Sequence, residues 1–142
     1  MPNKFVELYE STVALHERFN TSQTVQQSLE RFNEEYQETL NEVPLGDLNR
    51  LSDEFVDAIV TTIGVFRSIA KSSNASANIQ AMFFVMKHLH NLYLVIRKNK
   101  VSDELIEKSI DRVIQKNNAK TLETHELDKA TGKIKRLTKE IS

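Results

Sequence analysis

The sequence predicts an all-α fold, a helical bundle of about five helices in which an antiparallel helix pair carries two acidic motifs. Only 3 glycines and 2 prolines occur in 142 residues, which is few for the many tight turns of a β-rich fold. Apolar residues recur at three- and four-residue spacing in five segments, as they do on the buried faces of helices. A hydrophobic content of 39% supports one core, so residues 1–142 are predicted to form a single domain.

The first two helices are marked by an apolar period and by the breaks that follow them. The first period begins at Phe5 and predicts a helix over roughly residues 3–19. The polar cluster at 20–22 precedes a second helix that continues to Leu40. Pro44 and Gly46 end this helix, because proline cannot continue it and glycine permits a turn. A connection this short predicts that the second and third helices are antiparallel neighbours.

Three more helices are predicted after this turn. The third begins near Asp47, whose charge suits a helix N-terminus, and extends for about 25 residues. The fourth, 77–98, is apolar around much of its circumference, which predicts burial centrally in the bundle or against a second subunit. The fifth begins at a cap-like Ser102 and fades near residue 117. From 118 to 142 the chain is polar and weakly periodic, so an extended or partly ordered tail is predicted.

The bulk composition excludes several functional classes. A net charge of −1 argues against a protein that binds nucleic acid by neutralising phosphates. The absence of cysteine excludes disulfides, thiolate metal sites and a cysteine nucleophile. The start lacks the apolar core of a signal peptide, and no apolar run is long enough to span a bilayer. We therefore expect a cytoplasmic protein without a membrane partner.

Four acids have the spacing of a divalent-cation site. Glu35 and Glu38 lie three residues apart on the second helix, and Glu54 and Asp57 lie three apart on the third. Each pair therefore projects from one helical face, and the two faces converge if the helices are antiparallel. Hard dications such as Mg²⁺ and Mn²⁺ prefer such oxygen ligands.

The alternative is a solvated acidic face, in which acids pair with lysines one turn further along the helix. That pairing is missing, because the residue one turn further along is another acid in three cases. Glu38 lies four residues after Glu34, Glu42 lies four after Glu38, and Asp57 lies four after Asp53. Each pair of like-charged neighbours destabilises the helix by roughly 0.2–0.5 kcal/mol. Glu42, one turn beyond the four acids, is expected to lie on the surface. A di-iron site is not expected, because no Glu-x-x-His motif occurs.

The acidic motifs resemble the signature of the MazG-like all-α nucleoside triphosphate pyrophosphatase superfamily, which includes the dimeric dUTPases. That signature is Glu-Glu-x-x-Glu on one helix and Glu-x-x-Asp on the next, and the matching residues here are Glu34, Glu35, Glu38, Glu54 and Asp57. Residues 13–19 and 101–122 also resemble phage-type members, and the second stretch carries an Asn-x-x-Lys element at Asn117 and Lys120. The chain departs from compact members in its additional helix at 77–98.

The resemblance implies hydrolysis of a nucleoside triphosphate to a monophosphate and pyrophosphate, with Mg²⁺ or alternatively Mn²⁺ as cofactor. It implies the metal ligands Glu35, Glu38, Glu54 and Asp57, with Glu34 or Glu35 as the base that accepts a proton from water. It also implies that Asn117, Lys120 and Lys133 bind the substrate and that the chain forms a homodimer or homotetramer. A non-catalytic helical interaction protein and a nucleotide-binding protein without turnover remain alternatives.

Overall fold

The computed structural model describes residues 3–137, and helices make up most of this range. The all-α class is confirmed. The helices are α1 (Lys4–Arg18), α2 (Val25–Glu42), α3 (Leu48–Ala70), α4 (Ala75–Lys98) and α5 (Asp103–Ala119). A single 3₁₀ turn, Val43–Leu45, joins α2 to α3, and Gly46 completes the connection with a positive φ of 74°.

Each of the five helices begins at a residue whose side chain accepts a hydrogen bond from the first turn. These N-cap residues are Asn3, Thr24, Asp47, Asn74 and Ser102. An N-cap of this kind typically stabilises a helix by about 1 kcal/mol. The caps explain why the predicted helix starts lie close to the observed ones.

The core is organised around α3, which contributes to each of three clusters of buried apolar side chains. Phe55 packs with residues of α2 and α4, and Val56 packs with α1 and α5. Val65 packs against Phe32 of α2 and against the start of α4. Helices α1 and α5 thus cover one side of the α2–α3 pair, while α4 covers another. This arrangement fixes the facing surfaces of α2 and α3.

The segment after α5 is partly ordered. Strands β1 (His125–Asp128) and β2 (Lys133–Arg136) form an antiparallel hairpin. The Gln23 amide donates a hydrogen bond to the carbonyl of Gly132 at 3.2 Å, which ties the hairpin to the loop before α2. The two strands were not predicted from the sequence, because contacts distant in sequence hold the hairpin. Residues 138–142, the end of the predicted tail, lie outside the described residues.

Within residues 3–137, no helix combines the length and the apolar character that a membrane span requires.

Candidate functional site

The acidic motifs of α2 and α3 face each other. One carboxylate oxygen from each of Glu35, Glu38 and Glu54 lies within 4.8 Å of the others. Asp57 lies beside them, since its charge acts on both Glu35 and Glu54. We call these four residues the acidic crevice. The structure therefore brings together three of the four carboxylates that the sequence predicts as metal ligands, and the fourth, Asp57, lies near enough to act on two of them by its charge.

The crevice contains carboxylate oxygens without partners. Oε2 of Glu35 and Oε2 of Glu54 are buried and accept no hydrogen bond within the described part of the chain. A buried carboxylate oxygen without a partner is costly, because it has lost water and gained nothing in exchange. Oxygen ligands from several carboxylates suit a hard dication such as Mg²⁺. The crevice thus fits the group that the sequence resemblance implies.

Ion pairs compensate the neighbouring acids but leave the crevice open. Asp53 pairs with Arg112, and Glu34 pairs with Arg31 at 3.0 Å. Among residues 3–137, no salt bridge involves a member of the acidic crevice. The uncompensated charge is therefore concentrated at the four carboxylates rather than spread over both acidic segments.

Proton affinity in the crevice is high. Burial, followed by the charges of Asp57 and Glu38, raises the pKa of Glu35 to about 8. Burial and the same two neighbours raise the pKa of Glu54 to about 7. Burial also raises the pKa of Asp57, although nearby Lys116 opposes this shift. Without a cation, the crevice therefore retains protons near neutral pH that a bound dication would displace.

Glu34 lies outside this oxygen cluster, although the sequence resemblance includes it. Its carboxylate is exposed and is held by Arg31 on its own helix and by Lys133 of the hairpin, at 3.6 Å. Glu34 thus connects the hairpin to α2. Of the two residues predicted as the base, Glu35 is the one whose carboxylate lies in the crevice.

Glu42 is not the surface residue that the sequence predicts. It is only 8% exposed, because the 3₁₀ turn and the start of α3 follow it directly. One of its oxygens pairs with Arg50 at 3.2 Å, and the other, Oε2, has no hydrogen-bond partner in the described structure. Its charge contributes to the raised pKa of Glu54, after burial and the charges of Asp57 and Glu38.

A cavity of about 220 Å³ adjoins the crevice. Its wall includes Arg31, one turn before Glu35, and Thr61, one turn after Asp57. Lys120 and Lys133 also line it, so that three cationic side chains surround the space next to four acids. Such a pairing of anionic and cationic surfaces suits a ligand that carries phosphates and a dication together.

The end of α5 forms one wall of this cavity. Asn117 is buried, and its amide donates hydrogen bonds to the hydroxyls of Ser11 at 3.3 Å and Thr12 at 3.2 Å. Arg18 donates to the main-chain carbonyls of Asn117 and Lys120. Asn117 therefore anchors α5 to α1 with its amide nitrogen, while Lys120 lies half-buried in the wall. Burial lowers the pKa of Lys120.

His16 also lines the cavity. Its Nδ1 is 2.7 Å from the hydroxyl oxygen of Thr21. Burial, with the positive charges of Arg67 and Lys71, lowers the pKa of His16 to about 4, so the ring is neutral at pH 7. A neutral imidazole offers a hydrogen bond without a charge.

Sequence reasoning missed Gln23 and Arg18, which position the hairpin and the end of α5. Neither belongs to an acidic or basic motif, and both act on main-chain carbonyls that lie more than 90 positions away. The last carbonyls of a helix have no partner within the helix and need donors from elsewhere. This general need is the one signal that could have indicated that a donor such as Arg18 binds the end of α5.

No protein-family model, curated protein sequence or solved structure matches this chain.

Proposed function

We propose that the protein is a Mg²⁺-dependent nucleoside triphosphate pyrophosphohydrolase, which cleaves a ribo- or deoxyribonucleoside triphosphate into a monophosphate and pyrophosphate. The observation that carries this proposal is the acidic crevice, in which the oxygens of Glu35, Glu38 and Glu54 converge without an ion pair, beside a cavity with cationic walls. The resemblance of both acidic motifs to the MazG-like signature points to the same reaction. Such an enzyme would serve nucleotide metabolism in the cytoplasm.

The crevice is the proposed metal centre. Glu35, Glu38, Glu54 and Asp57 would hold Mg²⁺, with Mn²⁺ as a substitute. Bound there, the cation would neutralise phosphate charge and make a water molecule more acidic. The buried Oε2 atoms of Glu35 and Glu54 support this assignment, because a cation would give them the partner that the described chain does not supply.

The adjoining cavity is the proposed nucleotide site. Pockets that enclose a drug-sized ligand usually measure about 300–1,000 Å³, whereas this one measures about 220 Å³. We therefore assign the cavity to the base and sugar, with the triphosphate extending over the crevice. Lys120 and Lys133 would pair with phosphate oxygens. Asn117 would form part of the cavity wall and would hold α5, which carries Lys120 at its end, against α1.

The chemical step needs one proton acceptor. A water oxygen forms a new bond to the α-phosphorus, and the bond from that phosphorus to the α–β bridging oxygen breaks. The pyrophosphate leaves with the electron pair of that bond, and the proton of the water passes to a carboxylate. Glu35 is the better-placed acceptor because it lies in the crevice, while Glu34 is engaged by Arg31 and Lys133.

A pyrophosphate-release screen tests the proposal. The common ribo- and deoxyribonucleoside triphosphates would be assayed with Mg²⁺ and with Mn²⁺ for the wild type, Glu38→Gln and Glu30→Gln. Glu30 is the matched control, since it is an exposed acid on α2 that accepts a hydrogen bond from Gln26 outside the crevice. We expect Glu38→Gln to lose at least a hundredfold in kcat and Glu30→Gln to retain activity.

Substrate contacts are tested separately with Lys120→Met. We expect its KM to rise about tenfold, which corresponds to about 1.4 kcal/mol of lost binding. Folded wild-type protein that binds triphosphates without turnover would indicate the nucleotide-binding alternative. A helical interaction protein would be indicated by a different result: folded protein that neither binds nor hydrolyses any nucleotide and whose melting temperature does not change when Mg²⁺ is added.

A further inference from the structure

A small recess adjoins the proposed nucleotide cavity. Its volume is about 10 Å³, and His16, Gln23 and Gly64 line both the recess and the cavity. Arg67 and Lys71 line the recess but not the cavity. A volume of this size holds about one water-sized atom. The recess is therefore too small for a phosphate group, although its wall is cationic.

The recess lies on the side of the cavity away from the crevice. Along α3, Asp57 belongs to the crevice, Thr61 lines the cavity and Arg67 lines the recess. At the rise of an α-helix, Arg67 lies about 15 Å from Asp57 along the helix axis. Helical side chains lean toward the N-terminus of their helix, so Arg67 leans back toward the cavity. A nucleotide whose α-phosphate lies over the crevice would present the far edge of its base to the recess.

Arg67 has hydrogen-bond donors available for a ligand. It is half-buried, and it forms no salt bridge within residues 3–137. Its position in the last turn of α3 stabilises the helix, because a positive charge there opposes the negative end of the helix dipole. That structural role needs the charge alone, whereas a guanidinium also carries five N–H donors. An acceptor atom in the recess would use them.

His16 provides an acceptor beside these donors. Its ring is neutral at pH 7, because burial and the charges of Arg67 and Lys71 lower its pKa to about 4. Its Nδ1 lies 2.7 Å from the hydroxyl oxygen of Thr21. The two cations favour the tautomer whose Nδ1–H donates to Thr21, because positive charges attract the lone pair that this tautomer leaves on Nε2.

We propose that the recess selects nucleotides whose base carries a carbonyl beside a ring N–H, namely uracil, thymine, guanine and hypoxanthine. Arg67 would donate to the carbonyl oxygen, and Nε2 of His16 would accept from the ring N–H. Cytosine and adenine reverse this pattern, since an amino group would face the donors of Arg67 and a ring nitrogen lone pair would face that of His16. This inference rests on the proposed function, because it takes the cavity as the nucleotide site.

Binding of analogues that cannot be hydrolysed tests the recess without catalysis. The α,β-methylene analogues of UTP and CTP differ only at the edge of the base that would meet the recess. A hydrogen bond to a charged group changes a binding constant by about tenfold to a hundredfold. Calorimetry with Mg²⁺ should therefore give a dissociation constant for the UTP analogue that is lower by about this factor.

Substitutions of Arg67 separate recognition from its structural role. Arg67→Met should abolish the preference, and Arg67→Lys, which keeps the charge at the helix end, should retain part of it. The matched control Arg97→Met removes an exposed arginine of α4 outside the recess and should keep the full preference. Equal affinities in the wild type, or a full preference in folded Arg67→Met, would overturn the proposal. Binding of neither analogue would refute the recess and the nucleotide site together.

Turnover separates a failure of this inference from a failure of the proposed function. Pyrophosphate release should give a higher kcat/KM for UTP than for CTP and for ITP than for ATP, with the deoxyribonucleotides following the same order. Similar values within both pairs would overturn the inference and leave the proposed function intact. The expected preference in analogue binding, without release of pyrophosphate from any triphosphate, would refute the proposed function and leave the recess as a base-recognition site.

Discussion

Replacing Glu38 by glutamine should stabilise the protein without metal and weaken its response to metal. Glu38 has its carboxylate within 4.8 Å of ligand oxygens of both Glu35 and Glu54. In the absence of a cation, and above pH 8 where Glu35 and Glu54 have lost their protons, the three negative charges repel. The amide of glutamine keeps the shape of the side chain while removing one of these charges. In the presence of Mg²⁺ the same substitution removes a ligand.

The size of the effect follows from this separation. Two unit charges 4.8 Å apart repel by about 1 kcal/mol in water and by about 3.5 kcal/mol at an effective dielectric constant of about 20. Because Glu38 is exposed, the lower value applies, and two such pairs give a total of about 2 kcal/mol. For a chain of this size, that corresponds to an increase of about 6 °C in the melting temperature.

The effect should depend on pH with a definite sign. The folded-state pKa values of Glu35, about 8, and Glu54, about 7, lie above the unfolded value of about 4.3. Their contribution to stability is therefore present at low pH and is lost as the pH rises through 7 and 8. Glu38→Gln should exceed the wild type in stability at pH 9, and the two should converge near pH 5.

Thermal unfolding with EDTA and with saturating Mg²⁺, at pH 5 and pH 9, measures both effects. Mg²⁺ at one hundred times its dissociation constant should stabilise the wild type by about 2.7 kcal/mol, so the order of the two proteins reverses at pH 9. Glu30→Gln should behave as the wild type throughout. A Glu38→Gln variant that melts below the wild type in EDTA at pH 9, or equal stabilisation of both proteins by Mg²⁺, would contradict a repulsive, cation-binding crevice.

Three other substitutions or conditions have definite expected outcomes. Mg²⁺ affinity should rise from pH 6 to pH 9, because Glu35 and Glu54 must lose protons to bind, and calorimetry in buffers of different ionisation enthalpy should detect the released protons. Asn117→Ala should lower the free energy of unfolding in urea by about 1–3 kcal/mol, since it removes the hydrogen-bond donor shared by two hydroxyls of α1. Gly132→Ala should release the hairpin, because its φ of 74° disfavours alanine and the added methyl group would collide with Gln23. Faster hydrogen exchange over residues 125–136 would reveal that release, and unchanged protection would contradict it.

Local signals made the helices predictable from the sequence. The side chains of Asp47 and Ser102 accept hydrogen bonds from N–H groups in the first turns of α3 and α5. Because these caps are local in sequence, they make the starts of both helices predictable. Pro44 and Gly46 likewise identify the turn that makes α2 and α3 neighbours. The convergence of the acidic motifs followed from this turn and from the three-residue spacing of each pair.

Features held by distant contacts could not be predicted in this way. The hairpin strands have only four residues each and little apolar content, and the hairpin is tied to Gln23 and Glu34. The burial of Glu42 depends on how the following turn folds over it. The partner of Asp53 is Arg112 on another helix, although sequence neighbours alone left Asp53 uncompensated. In each case the deciding contact joins segments whose proximity only the folded chain creates.

Product identity is the most direct test of the proposed reaction. Phosphorus NMR of a nucleoside triphosphate incubated with the protein and Mg²⁺ in ¹⁸O-labelled water should show pyrophosphate and a monophosphate, with the label on the monophosphate. Glu38→Gln should show intact triphosphate. Formation of a diphosphate and inorganic phosphate, or label in the pyrophosphate, would contradict attack at the α-phosphorus by water placed beside the acidic crevice.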